Sequence, residues 1–102
     1  MEIGKEQITI VKKEMGITHK DFFGELPVLL HSIPYHHSKD IITFQLNHKN
    51  VEIILGPEGV REITRSVRLP VTVVTIRFLD FSAEEVSKFI KRFNLRFMKG
   101  GG

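Results

Sequence analysis

The chain has 102 residues, no cysteine and 41% hydrophobic content that includes eight phenylalanines and no tryptophan. That length suits one domain with a core of its own. The lack of cysteine excludes disulfides, thiolate nucleophiles, iron–sulfur ligation and cysteine zinc sites. The net charge of +3 is uneven: residues 1–51 balance six lysines against six acids, while residues 52–102 hold nine basic and six acidic residues, among them all six arginines.

The opening "MEIGKEQITI" lacks the basic start, apolar run and small-residue cleavage site of a secretory signal. No apolar run approaches the length of a membrane span. The expectation is a cytoplasmic protein with no membrane association. No repeat or linker interrupts the chain, so residues 1–99 are expected to form a single α+β domain, with 100–102 as a flexible glycine tail.

In chain order, "EQITIVKK" (6–13) places Ile8 and Ile10 on one side of a first strand or a loose arm. "ITHKDFFGEL" opens a helix. Thr18 caps it, Asp21 sits three residues on, and Ile17 and Phe22 are placed as a hydrophobic staple. Phe22, Phe23, Leu26, Leu29 and Leu30 give an apolar stripe, with a kink or restart expected at Pro27. "HSIPYHHSKD" (31–40) reads as a solvated connection to the next strand, because Pro34 and the flanking serines are loop formers.

From residue 41 the apolar period changes to two. Ile42, Phe44 and Leu46 alternate, as do Val51, Ile53 and Leu55 after the loop "NHKN", and pairing Leu46 with Val51 puts all six on one sheet face. "GPEG" (56–59) is a turn. A further strand runs to about Leu69 with Ile63 and Val67 inward, and Pro70 ends it. "VTVVTIRFLDF" (71–81) is the most β-branched stretch. Ser82 and Glu85 then form a capping box, Phe81 and Val86 a staple, and Val86, Phe89, Ile90, Phe93 and Phe97 an amphipathic stripe.

The expected fold is therefore α+β, ordered β-α-β-β-β-β-α: an antiparallel meander of four or five strands with two amphipathic helices on one face. This element order resembles the repeat unit of TATA-binding-protein-like folds. The resemblance lies in element order alone and implies nothing about DNA. The terminal "KGGG" resembles, in its glycines, the tails of ubiquitin-like proteins and sulfur carriers. It would imply an activating enzyme as partner, but those families place a strand before the tail, whereas a helix precedes it here. Asn94 is a plausible left-handed end to that helix.

Three surfaces can carry a function. The first is the sheet face turned from the helices, where Arg68, Val71, Val73, Thr75 and Arg77 are expected as an interaction face. Strand 71–81 is apolar on both sides, so one side lacks a cover in a monomer. A homodimer formed through this face or its edge is the simplest answer, with another protein as an alternative partner. The second is a metal site built from His31, His36, His37 and Asp40. Histidine is the commonest metal ligand, but adjacent histidines on extended backbone diverge, and no H-x-x-x-H pair exists. The third is nucleic-acid or anion binding by the arginine-bearing half. It is not favoured, because +3 is modest and the phenylalanines occupy core positions rather than a stacking platform. "GPEG" has no G-K-[ST] and is not a phosphate loop. No nucleophile elbow, carboxylate pair or dinucleotide loop is present, so a non-enzymatic role without cofactor is expected.

Overall fold

The computed structural model describes residues 7–97. Six strands and two helices follow one another: β1 (Ile8–Met15), α1 (His19–Leu30), β2 (Tyr35–Ser38), β3 (Ile41–Leu46), β4 (Lys49–Leu55), β5 (Gly59–Glu62), β6 (Arg68–Leu79) and α2 (Ala83–Phe97). All pairings are antiparallel, in the order β1-β6-β4-β3-β2, with β5 also on β6. The class is α+β and the sheet is meander-like, as the periodicities imply.

Alternation divides the sheet cleanly. Ile42 and Phe44 of β3, Val51, Ile53 and Leu55 of β4, and Thr72, Val74, Ile76 and Phe78 of β6 are buried on one face. Both helices cover that face with Phe22, Leu26, Leu29 and Leu30 from α1 and Phe89 and Phe93 from α2. Aromatic rings join the layers, with Phe44 and Phe78 each 5.8 Å from Phe89, and join the two helices, with Phe22 stacked on Phe97 at 4.8 Å.

The helix starts are built as their sequences require. The Thr18 hydroxyl accepts from the Asp21 amide at 3.1 Å. Ser82 and Glu85 make the reciprocal box, with the Ser82 amide donating to Glu85 Oε1 at 2.8 Å and the Glu85 amide to Ser82 Oγ at 3.1 Å. Helix α1 passes through Pro27 without a restart, and α2 continues past Asn94 to Phe97. The Arg92 guanidinium donates to the Leu29 carbonyl at 2.9 Å, serving an orphan acceptor at the end of α1, which has no basic residue in its last turn.

Three strand expectations are corrected. First, "YHHS" is a strand: β2 pairs with β3 through a two-residue turn in which Lys39 has φ 55°. Second, the β3–β4 loop is two residues, Asn47 and His48, both at positive φ, and Leu46 pairs with Lys49 rather than Val51. The slip is two residues, so the same side chains still face the core. Third, β6 runs unbroken through Pro70. The Ile63 amide donates to the Val67 carbonyl, so by alternation Val60 and Pro70 form a non-hydrogen-bonded pair. β1 has already ended at Met15, opposite Thr72, so the missing proline N–H costs no ladder bond on that side.

Strands β4 and β5 are one strand with an extra residue in it. Leu55 pairs with Val74 and the Gly56 amide donates to Val73, yet Gly59 pairs with Val71. Three steps on one strand thus oppose two on the other, which is a bulge at Pro57–Glu58. Odd-numbered residues face the core in β4 and face away from it in β5. Ile63 and Val67, expected inward, are therefore on the outer face and are 52% and 44% exposed. Beyond the bulge the β5–β6 hairpin projects past the helices, with residues 61–69 all exposed, and the molecule is 61 Å long against 26 Å across. We call residues 59–71 the arm. Among the described residues, no helix is long and apolar enough to cross a membrane.

Two predictions follow from these elements. Glycine is the preferred second residue of a turn with two positive φ values. Replacing His48 (φ 67°) by Gly is therefore expected to stabilise the fold by about 1 kcal/mol, read as a Tm rise of several degrees. The Glu85 carboxyl is held below its ordinary value of 4.5, first by the hydrogen bond from Lys49 and then by the Ser82 amide. A depressed carboxyl stabilises the fold above its ordinary range and loses that contribution as pH falls through the lowered value. E85Q is expected to lower Tm at neutral pH and to converge on the wild type in acid, in paired melts across pH.

Candidate functional site

Among the described residues, the sheet face opposite the helices has no second layer. Reading across paired residues, one row runs Ile10, Arg77, Glu52, Thr43, His36, and the next runs Lys12, Thr75, Ile54, Ile41, Ser38. On β6 the same face carries Val71, Val73 and Leu79 and continues onto the arm through Leu69 and Val67. Val71, Val73, Thr75 and Arg77 lie together on this face, as alternation requires. Arg68 does not join them. With β6 continuous through Pro70, Arg68 has the parity of Thr72 and Val74 and points to the helix side, beyond the helices' reach.

The apolar content of this face is large for an uncovered surface. Ile8, Ile10, Ile41, Leu69 and Val73 are between 39% and 56% exposed. At the end near the Asn47–His48 turn, the face is hollowed into an open trough of about 980 Å³ whose floor includes Ile8, Gln45, Asn50, Glu52, Arg77 and Leu79. Charge on the face is compensated within the chain. Arg77 Nη1 lies 2.6 Å from Glu52 Oε1, and Arg61 of the arm reaches across β6 to Glu14 of β1. Gln45 Nε2 donates to Asn50 Oδ1 at 3.0 Å. Lys12 is the remaining full charge on the two middle rows.

The histidine-rich segment does not assemble. His36 pairs with Thr43 and lies on the uncovered face, whereas His37 pairs with Ile42 and lies on the helix side. There the His37 ring stacks on Phe23 at 4.1 Å, and its Nε2 is 2.6 Å from the Lys39 carbonyl. His31 is the C-cap of α1. Asp40 turns instead to His19, 3.7 Å from its Nδ1. Among the described residues, no group of three or more His, Cys, Asp or Glu side chains is placed to hold a metal ion. The strand that replaces the expected loop is the physical reason, because it sends successive rings to opposite faces.

His19 is the residue the sequence undervalued. It begins α1, yet its Nε2 reaches the Gly56 carbonyl at 2.6 Å, and its backbone amide donates to Glu58 Oε2 at 2.7 Å. It thus ties the start of α1 to the bulge that launches the arm and, through Asp40, to the β2–β3 turn. A Cβ added at Gly56 would stand 3.2 Å from the Val73 carbonyl, so this junction has little room to vary. No local pattern marks His19, because its partners are 37 and 39 residues away.

The arginines are mostly occupied. Arg61 and Arg77 hold Glu14 and Glu52, Arg96 lies 3.2 Å from Glu25, and Arg92 serves the end of α1. Arg65 and Arg68 are exposed on the arm. The terminal glycines lie outside the described residues. No known protein-family model matches the chain, and no curated protein matches it in sequence.

With the four candidate ligands pointing apart, titration with zinc, nickel or copper in a calorimeter is expected to show no stoichiometric binding. A one-to-one isotherm abolished by replacing His36 and His37 would contradict this geometry.

Proposed function

We propose that this protein is a non-enzymatic assembly module that self-associates through the uncovered sheet face. The observation that carries the reading is the apolar outer face of β6 and its neighbours: a sheet buried on one side by two helices offers water Ile10, Ile41, Val73 and Leu69 on the other. Contiguous apolar surface of this kind marks interaction sites. Five strands spaced about 4.8 Å apart, with about six residues of rise each, give a body face of about 24 by 20 Å. The two-stranded arm adds about half as much again. That approaches the roughly 800 Å² per partner of a standard specific interface.

Charge distinguishes the occupants. A polyanion requires a surplus of cations, and the arginines of this face are already paired with Glu14 and Glu52. A near-neutral apolar surface suits another such surface, and a second copy supplies one at equal concentration. A two-fold pair uses the same patch twice and closes on itself. The edges fit less well: β2 is four residues long, and β1 carries Lys12 and Lys13 in its middle, both features that discourage strand addition.

The test uses two body positions remote from the arm. Ile10→Asp with Ile41→Asp places carboxylates on exposed sites, so the circular dichroism spectrum should not change. Sedimentation should show the double variant shifted to monomer at concentrations where the wild type is dimeric. An unaltered dimer would remove the face from consideration.

A further inference from the structure

The uncovered face is not symmetrical across the sheet, but it has a symmetrical length along β6. Val73 stands at its middle. Val71, Leu69 and Val67 run outward along the arm, and Thr75, Arg77 and Leu79 run outward over the body. Each half is six residues, or about 20 Å. Arm and body face are thus matched in reach, although one is two strands wide and the other five.

We infer that the second copy lies across this face about a two-fold axis passing at Val73, with the arm of each protomer seated in the trough of the other. This rests on the self-association reading and adds its geometry. The axis lies in the interface, perpendicular to the strands. It sets β6 antiparallel to the partner's β6 and exchanges the rows on either side of Val73. Sheets stacked face to face keep their strands within about 30° of alignment, so the exchange holds approximately along the strand.

The exchanged residues are complementary. Val67 comes over the partner's Leu79, and Leu69 over the aliphatic stem of the partner's Arg77. Arg61 pairs with Leu69 on the neighbouring strand, and Glu52 pairs with Arg77. The same rotation brings Arg61, bound to its own Glu14, over the partner's Arg77–Glu52 pair. It sets Glu14, on the axis row beside Val73, against its own copy, with the two Arg61 side chains balancing the two carboxylates. Ile63, beside Val67, enters the space above Asn50 that the trough leaves open. The arm that projects past the helices and the trough in the uncovered face are then each filled by the other.

The bulge at Pro57–Glu58 is what makes this self-complementary. Were the same residues paired regularly, with no bulge to absorb the extra one, β5 would keep the parity of β4 and turn Arg61 and Ile63 to the helix side. His19 and Glu58 hold that bulge against the start of α1, so the arm leaves the body in a fixed direction.

The chain has no cysteine, so a single introduced thiol reports position cleanly. A residue at a two-fold axis meets its own copy. Stacked sheets stand about 10 Å apart, beyond the reach of a disulfide, so the probe is a short bismaleimide. V73C is expected to convert most of the protein to a covalent dimer. Leu95→Cys, on the outer surface of α2, should give background only. Ile63→Asp with Val67→Asp should raise the dimer dissociation constant about a hundredfold. The untagged wild type is sedimented alongside. If it is a dimer and V73C crosslinks no better than Leu95→Cys, or the arm variants associate normally, the arm-in-trough arrangement is wrong while self-association stands. If the wild type is a monomer throughout, both fall.

Discussion

Strand β6 bears the rest of the structure. It is twelve residues long and hydrogen-bonds to β1, β4 and β5. Its even positions, Thr72, Val74, Ile76 and Phe78, are under both helices. Its odd positions have only the outside. Most of the chain's large residues respond to that division. The phenylalanines of α1 and α2 close one side into a core, and among the described residues the isoleucines and valines of the other side are left without a layer. A strand apolar on both faces is ordinary in a sheet covered on both faces. Here it is found in a sheet covered on one, and that mismatch is the source of the functional reading.

The polar contacts support the same division. Lys49 holds Glu85 at 2.8 Å, joining the β3–β4 turn to the start of α2, and Arg92 closes the end of α1. These bind the helical layer to its sheet. On the outer face, Arg77 with Glu52 and Arg61 with Glu14 neutralise one another across strands. Exposed ion pairs of this kind add little stability. Their larger effect is on what the surface presents, since they match the charges of Arg61 and Arg77 and leave Lys12 as the remaining full charge on the two middle rows.

Much of the fold was legible in the sequence, and its misreadings share a cause. The β3–β4 hairpin, the Ser82–Glu85 box and the α2 stripe all rest on local patterns, and local patterns are what a sequence displays. The register error at Leu46 was harmless because it was two residues. The error at Ile63 and Val67 was not, because a bulge shifts alternation by one and Pro57–Glu58 looks like any turn. Arg68 was misplaced for a related reason: Pro70 reads as a strand end unless its partner in the ladder is known. "YHHS" has no apolar alternation, and it is a strand only because a two-residue turn sets it against β3. The outer face of Val71, Val73, Thr75 and Arg77 was legible from alternation alone. The trough, the arm and the role of His19 were not, since each depends on contacts between residues far apart in the chain.

The central claim is that the outer face of β6 does not meet water in the working protein. Sedimentation equilibrium of the untagged chain, over a wide concentration range, addresses it directly. The expected result is a mass of two chains of 11.7 kDa that dissociates on dilution. A mass of one chain at every concentration would mean that no second copy covers the face, and would contradict the account.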